Sequence, residues 1–306
     1  MEYLSYSKEL SLFFEKLRIL RGFSQESFTS EIISLRQYRR YLSGEYQIPQ
    51  SVINLLSKRL GLRPEHLILE FESKRIQEAN TLNNFHNAIV NKDFKKADEY
   101  EKNIIKDNII DANNLLIYEY SILLRKYYMN LISEPTFIDD VKELISYSTL
   151  FNKNAYSSTE LIIVSSLLSF SSFKEKDKII TIIKGFLSHK TYLLSGQNEK
   201  TLLLCYYRLA DYAGLNGNFS EVITLCNEAI NYGKQVKSNY LLADFFYYKA
   251  LAYHFLDDPS HTNDSLLKLF YTLKIEDNNK KITYYSDLIK NYFNDDLITL
   301  VSKIDK

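Results

Sequence analysis

Three arginines fall within five residues, at Arg36, Arg39 and Arg40, with Gln37 between them and no carboxylate beside them. A guanidinium fork suits guanine O6 and N7 or a phosphate, and a glutamine amide suits adenine. Which of these side chains meets a base and which a phosphate stays open at this point. To act together they must share one face of one rigid element. The stretch SQESFTSEIISLRQYRRYLSG, residues 24 to 44, supplies it. Ser24 is a good N-cap for a first helix reaching Glu31, since its hydroxyl can accept a backbone N–H that the helix start leaves unpaired. A turn at Ile32 and Ile33 follows. A second helix opens at Ser34 and stops at Gly44, which tolerates positive φ. Tyr38, Tyr41 and Leu42, spaced i, i+3 and i+4, form its buried stripe. The polar residues therefore point outward, where a major groove could be read.

A solvated basic helix in an ordinary bundle would carry the same side chains, so the surroundings decide. Leu10, Phe13, Phe14, Leu17 and Leu20 mark an amphipathic helix before the stretch. Pro49, Val52, Leu55, Leu56 and Leu60 mark another after it, closed by Gly61. Pro64 opens a last turn with Leu67, Ile68 and Phe71. Five short helices in about seventy residues make a compact domain with the basic helix in its middle.

Residues 8 to 71 resemble the Xre/Cro-type helix-turn-helix in their leucines, in Ser24-Gln25-Glu26, in the Ser34 helix start and in the Gly44 stop. Two departures stand out. The family usually has alanine after the leucine of its second helix, where Phe28-Thr29 stands here, and often glutamate two residues before the glycine, where Leu42 stands. The resemblance implies that Gln25 and the start of the second helix contact DNA. The contact candidates are then Gln25, Ser34, Arg36, Gln37, Arg39 and Arg40.

Bulk properties narrow the rest. The 306 residues suffice for two or more domains, and 38 basic residues balance 38 acidic ones. Zero net charge argues against coating of nucleic acid by the whole chain. Residues 1–71 hold ten basic and eight acidic residues, which implies modest non-specific affinity and a need for dimerisation. Cys205 and Cys226 fit no ligand spacing and suit a reducing cytoplasm. The N-terminus lacks an apolar signal core, and the apolar stretch from Leu161 to Phe170 is too short to span a bilayer.

Residues 72–80 are charged, lack proline and glycine, and read as a helical linker. Beyond them the pattern is helical throughout. Polar breaks occur near 132–136, 194–199, 215–218, 256–264 and 276–280, and no alternating strand pattern competes. Such helix pairs prompt a search for repeats. Residues 203–236 resemble a tetratricopeptide repeat. Tyr206, Leu209, Ala210 and Ala213 lie on its first helix, and Val222, Cys226 and Ala229 on its second. A second unit starts at Leu241 with Phe246, Ala250 and Tyr253, and residues 91–104 echo the turn and second helix with Ala97 at the small position. Leu297, Ile298, Val301 and Ile304 give a last helix that caps the array or makes a dimer contact. The fold class expected is all-α: a five-helix reader over 1–71, the linker 72–80, a tetratricopeptide-like α-solenoid over 81–294, and a capping helix over 295–306.

Catalysis finds little support. The chain has no glycine-rich phosphate loop, HExxH, CxxC or G-x-S-x-G. His66, His86, His189, His254 and His261 are scattered, and Pro259 breaks a metal site from His254, His261, Asp257 and Asp258. The doublets Asp139-Asp140 and Asp295-Asp296 read as helix-start residues. No enzyme, cofactor or metal is expected. A tetratricopeptide array instead offers a groove lined by first-helix positions. With Tyr206 as the packing aromatic, those are Leu204, Tyr207 and Asp211, then Asp244, Tyr247, Leu251 and His254. Tyrosine rings, carboxylates and hydroxyls suit a short peptide, although with 25 tyrosines many are plain surface residues.

An Xre-type reader joined to such helices resembles the RNPP group, the peptide-responsive regulators of Gram-positive bacteria, in architecture and size. The resemblance implies a cytoplasmic homodimer in which a signalling peptide alters how two readers meet operator DNA, with no membrane partner. Two other readings remain open at this stage. One is a tetratricopeptide scaffold that sequesters a partner protein. The other is an Xre repressor whose helical part only dimerises.

Overall fold

The computed structural model describes residues 2–106, 109, 111–153, 155–188, 192–193 and 199–304, with backbone alone at 2–5 and 192–193. It is all-α apart from one two-residue parallel bridge, Ala155–Tyr156 beside Tyr192–Leu193. Two compact units form, Met1–Ile132 and Ser133–Lys306.

The first unit opens with α1 (Glu2–Leu20), α2 (Gln25–Thr29), α3 (Leu35–Ser43) and α4 (Gln50–Arg59). The core seals around Phe14, Phe28, Tyr38, Leu56 and Leu67, all fully buried. Phe28 meets Tyr38 edge-on at 5.8 Å between ring centres. Several expectations need correction. The first helix of the 24–44 stretch ends at Thr29 rather than Glu31, because Glu31 turns to a φ of 61°. Leu20 and Leu55, counted among the apolar residues that mark their helices, are exposed at 70% and 46%. Leu20 is the last residue of its helix, and Leu55 turns off the face carrying Val52 and Leu56. Pro64 does not open a last turn but begins α5 (Pro64–Val90), a helix of 27 residues that runs through 72–80. Nothing in Glu72–Asn80 can stop a helix. Its far half packs on α6 (Phe94–Glu101), with Ala97 fully buried, and on α7 (Ala112–Tyr128).

Arg75, midway along α5, ties this unit together. Its guanidinium lies 3.2 Å from Glu9 on α1 and 2.9 Å from Asp111, the residue that caps α7. Glu9 is almost wholly buried. A buried carboxylate needs such a partner, because its charge is costly to strip of water.

The second unit holds α8 (Glu134–Leu144), α9 (Tyr147–Leu150), α10 (Ser158–Ser166) with a short 3-10 turn over 167–169, and α11 (Lys176–Leu187). Asp139 and Asp140 lie in the middle of α8, so the helix-start reading is wrong for them. Ser133 caps α8 instead, and Glu134 and Pro135 form its first turn. Then come α12 (Glu199–Leu215) and α13 (Phe219–Gln235), α14 (Leu242–Phe255) and α15 (Pro259–Ile275), α16 (Asn279–Phe293) and α17 (Leu297–Ile304). These are helical hairpins on tight turns, and α14 packs on both helices of the pair before it. Leu209, Ala210, Ala213, Val222, Cys226 and Ala229 are buried where the repeat reading placed them, so small side chains let α12 and α13 approach closely. The expected breaks at 256–264 and 276–280 are shorter than read, since Pro259 and Asn279 already belong to helices. In α17, Leu297 and Val301 are buried but Ile298 is 54% exposed, one step off that face. His189, residues 194–198 of the 194–199 break and residues 305–306 of the expected cap lie outside the described residues. No described helix is long and apolar enough to cross a membrane.

Candidate nucleic-acid interface and tyrosine-lined face

Helix α3 is held at both ends and along one side. Ser34 caps it reciprocally with Gln37: the Ser34 hydroxyl accepts from Gln37 N at 3.2 Å, and Gln37 Oε1 accepts from Ser34 N at 3.2 Å. At the other end Gly44 adopts a φ of 81° and returns its N–H to Tyr41 O. A side chain there would be strained and would press Lys8 at 3.0 Å.

The side contact runs through Glu15 of α1. Its carboxylate accepts from Arg18 at 2.7 and 2.8 Å, from Gln25 Nε2 at 2.9 Å and from the Tyr38 hydroxyl at 2.9 Å. Arg18 also donates to Phe23 O. One carboxylate therefore joins α1, α2 and α3. The Arg18 hydrogen bond holds Glu15 below the usual carboxylate range, against burial and with help from Gln25 and Tyr38. Burial, then the bond to Glu15, pushes the Tyr38 phenol up, so it stays a donor.

Opposite this buried side, Arg36, Gln37 and Arg39 are exposed. Arg39 Nε reaches Gln25 Oε1 at 3.4 Å, which aligns two of the contact candidates. Arg40 leans the other way, half-buried, 3.4 Å from Glu45 and 5.0 Å from the Tyr46 ring centre. The hydroxyl of Ser34 and the amide oxygen of Gln37 are engaged in the cap. Arg59 donates to Ser27 O at 2.8 Å and braces the start of α2 from α4, a contact that helix-turn-helix spacing did not reveal.

In the second unit, α12, α14 and α16 bring a set of tyrosines and acids together. The Tyr248 hydroxyl donates to Asp211 Oδ1 at 2.8 Å. The rings of Tyr207 and Tyr248 lie 5.5 Å apart, as do those of Tyr247 and Tyr285. Burial raises the Asp244 pKa, while a hydrogen bond from Tyr285 and the charge of Lys281 oppose the shift. Burial likewise pushes up the phenols of Tyr207, Tyr247, Tyr248 and Tyr285. Neither Asp211 nor Asp244 forms an ion pair among the described residues.

Of the seven groove candidates, Tyr207, Asp211, Asp244 and Tyr247 thus belong to one cluster. Tyr247 is 92% buried in it and serves packing as well. Leu204 on α12 is half-buried, and Leu251 rests on the apolar core beneath. His254 is exposed one turn further on, against Phe255 and Phe293. Arg208, Tyr240, Tyr248 and Tyr285 were not singled out from sequence. Tyr248 lies one turn from Asp244, and that spacing could have found it. Tyr285 needed α16 to be recognised as the first helix of a third pair. His261 is bonded to Asp258 at 2.7 Å and stacked on Tyr253, in the first turn of α15.

No protein-family model and no curated protein matches the chain. Solved structures do. PlcR of Bacillus thuringiensis in its apo form aligns over 92% of this chain and 99% of its own, with TM-score 0.58 and 14% identity. ComR from S. thermophilus, solved with DNA and its signalling peptide ComS, aligns over 97% of both chains, with TM-score 0.51 and 15% identity. ComR from Streptococcus vestibularis, solved with its cognate signalling peptide XIP, aligns over 98% and 97%, with TM-score 0.50 and 13% identity. The chain therefore resembles PlcR and ComR along nearly its whole length and shares their fold, a helix-turn-helix followed by tetratricopeptide-like helices.

Proposed function

We propose that the chain is a sequence-specific transcription regulator, reading double-stranded DNA with α3 and controlled by a short signalling peptide on the α12–α14–α16 face. The observation that carries this reading is the two-sidedness of α3. Tyr38 is wholly buried and bonded to Glu15, while Arg36 and Arg39 stand exposed on the other side. A helix fixed behind and cationic in front is what major-groove reading requires. Gln25, Ser34, Arg36, Gln37, Arg39 and Arg40 then form the DNA surface, with Ser34 and Gln37 contributing through the capped helix start. ComR supports the ligand assignment, since its solved structures hold DNA and signalling peptides.

In this reading residues 1–71 are the reader, 72–80 the link, 81–294 the peptide-sensing array and 295–306 its cap. Two chains form a homodimer whose readers meet half-sites about 34 Å apart. The peptide acts by preferring one arrangement of the dimer. Calorimetry of the full chain against short apolar peptides encoded beside its gene tests the sensor role. Heat for one peptide, together with a changed affinity for an operator duplex, is expected. Operator binding with no heat for any peptide would remove that role.

A further inference from the structure

Arg208 is the only arginine beyond position 125. It sits on α12 between Tyr207 and Asp211, and its Nη1 donates to the Ser169 hydroxyl at 2.9 Å. Its Nε is shut off from solvent and meets no acceptor. No carboxylate pairs with it among the described residues. Arg18, Arg40, Arg75 and Arg125 each have an acidic partner, and the unpaired Arg36 and Arg39 are exposed to water, whereas Arg208 is unpaired with its Nε out of reach of solvent. The acids of the same face do not supply the missing charge. Asp211 is taken by Tyr248, and Asp244 by Tyr285. Lys281, the neighbouring cation on α16, is already paired with Glu276 at 2.8 Å. Arg208 lies within one helical turn of Leu204, Tyr207 and Asp211 on α12, beside the tyrosines of the proposed groove.

From this incomplete network we infer that Arg208 receives a carboxylate of the peptide ligand. The inference rests on the reading of this face as a peptide site. A guanidinium presents parallel N–H groups at the spacing of carboxylate oxygens, which an ammonium cannot do. In the free chain one N–H holds a neutral hydroxyl and the Nε hydrogen holds nothing. A carboxylate that draws the fork outward gives Nε and Nη2 a shared acceptor. Asp244 on α14 disfavours an anion placed further toward α14 and α16, and the Asp211 carboxylate is drawn to the Tyr248 hydroxyl, so the ligand carboxylate stays at Arg208. The carboxylate comes from a free C-terminus or from an aspartate or glutamate side chain.

Three pools of synthetic octapeptides separate these sources. One has a free C-terminus and no acidic residues. A second is amidated and has none. A third is amidated with one acidic residue. Each is passed with the full chain over a sizing column, and the retained peptides are quantified by mass spectrometry. The carboxylate-free pool is expected to be retained at least tenfold less than one of the others, and which other one identifies the source. R208Q should abolish the preference, and R208K should keep only a small part of it. Melting curves of both variants check that the fold persists. Equal retention of all pools, lost together in Y207A, would overturn the role of Arg208 and leave the peptide site standing. Retention of no pool by the unaltered chain would overturn both.

Discussion

Two polar clusters in this chain are built from the same residue types and finished differently. Around Glu15, a carboxylate, a buried tyrosine, a glutamine and an arginine close on one another, so the charge is matched inside the protein. On the α12–α14–α16 face the carboxylates of Asp211 and Asp244 meet phenols, and the nearby arginine meets a serine. The first cluster is complete and fixes a shape. The second has no ion pair on Asp211, Asp244 or Arg208 among the described residues, and in the proposed reading a ligand supplies the missing partner of Arg208. A satisfied network adds rigidity, whereas an unsatisfied one carries a desolvation cost that a ligand can relieve.

The largest effect should come from breaking the closed cluster. E15A leaves Gln25 and the Tyr38 hydroxyl without their acceptor and Arg18 with Phe23 O alone, and the helix-turn-helix should lose about 3 kcal/mol in urea unfolding. D244N, by contrast, should be neutral or slightly stabilising, because it removes a charge that burial opposes. Equal losses for the two variants would erase the distinction. Next in size are R36A and R39A, which should weaken operator binding by about 1–3 kcal/mol where a base contact is lost, with unchanged melting temperature. G44A should cost about 1 kcal/mol or more, since only glycine adopts the Gly44 φ of 81° without strain.

The smallest effects are in pH, and their signs differ between the clusters. Glu15 has a lowered pKa in the fold, so its contribution is present above its unfolded value and fades as pH falls through the folded one. Asp244 has a raised pKa, so its contribution is full below its unfolded value and is lost as pH rises through the folded one. Thermal melts from pH 3 to 7 should therefore flatten at the acid end in E15Q. In D244N the decline with rising pH should shrink.

The helix-turn-helix was legible from sequence because its determinants are local. Ser24, Ser34 and Gly44 mark helix ends within a few residues of the backbone groups they satisfy. The Glu15 cluster was not legible, since its members lie up to 23 residues apart and no periodicity joins them. The face of the second unit was half legible. Spacing along α12 and α14 found Tyr207, Asp211, Asp244 and Tyr247. Tyr248 and Tyr285 depend on how neighbouring helices are rotated, which a single helix pattern does not contain. Arg208 carried no repeat signature at all, and only its missing partner marks it. The helical character of 72–80 was legible, but not that one helix joins Leu67 and Phe71 of the first core to Leu82, Phe85 and Ile89 of the next, because the charged stretch between them interrupts the apolar pattern.

The most direct measurement is selection of duplexes from a random pool by the full chain and by R36A side by side, at two salt concentrations. The account predicts that the unaltered chain enriches a two-part site with half-sites about one helical turn apart, and that R36A loses one position of each half-site. Enrichment that is identical for both proteins, or none for either, would contradict the assignment of α3 as the reading helix.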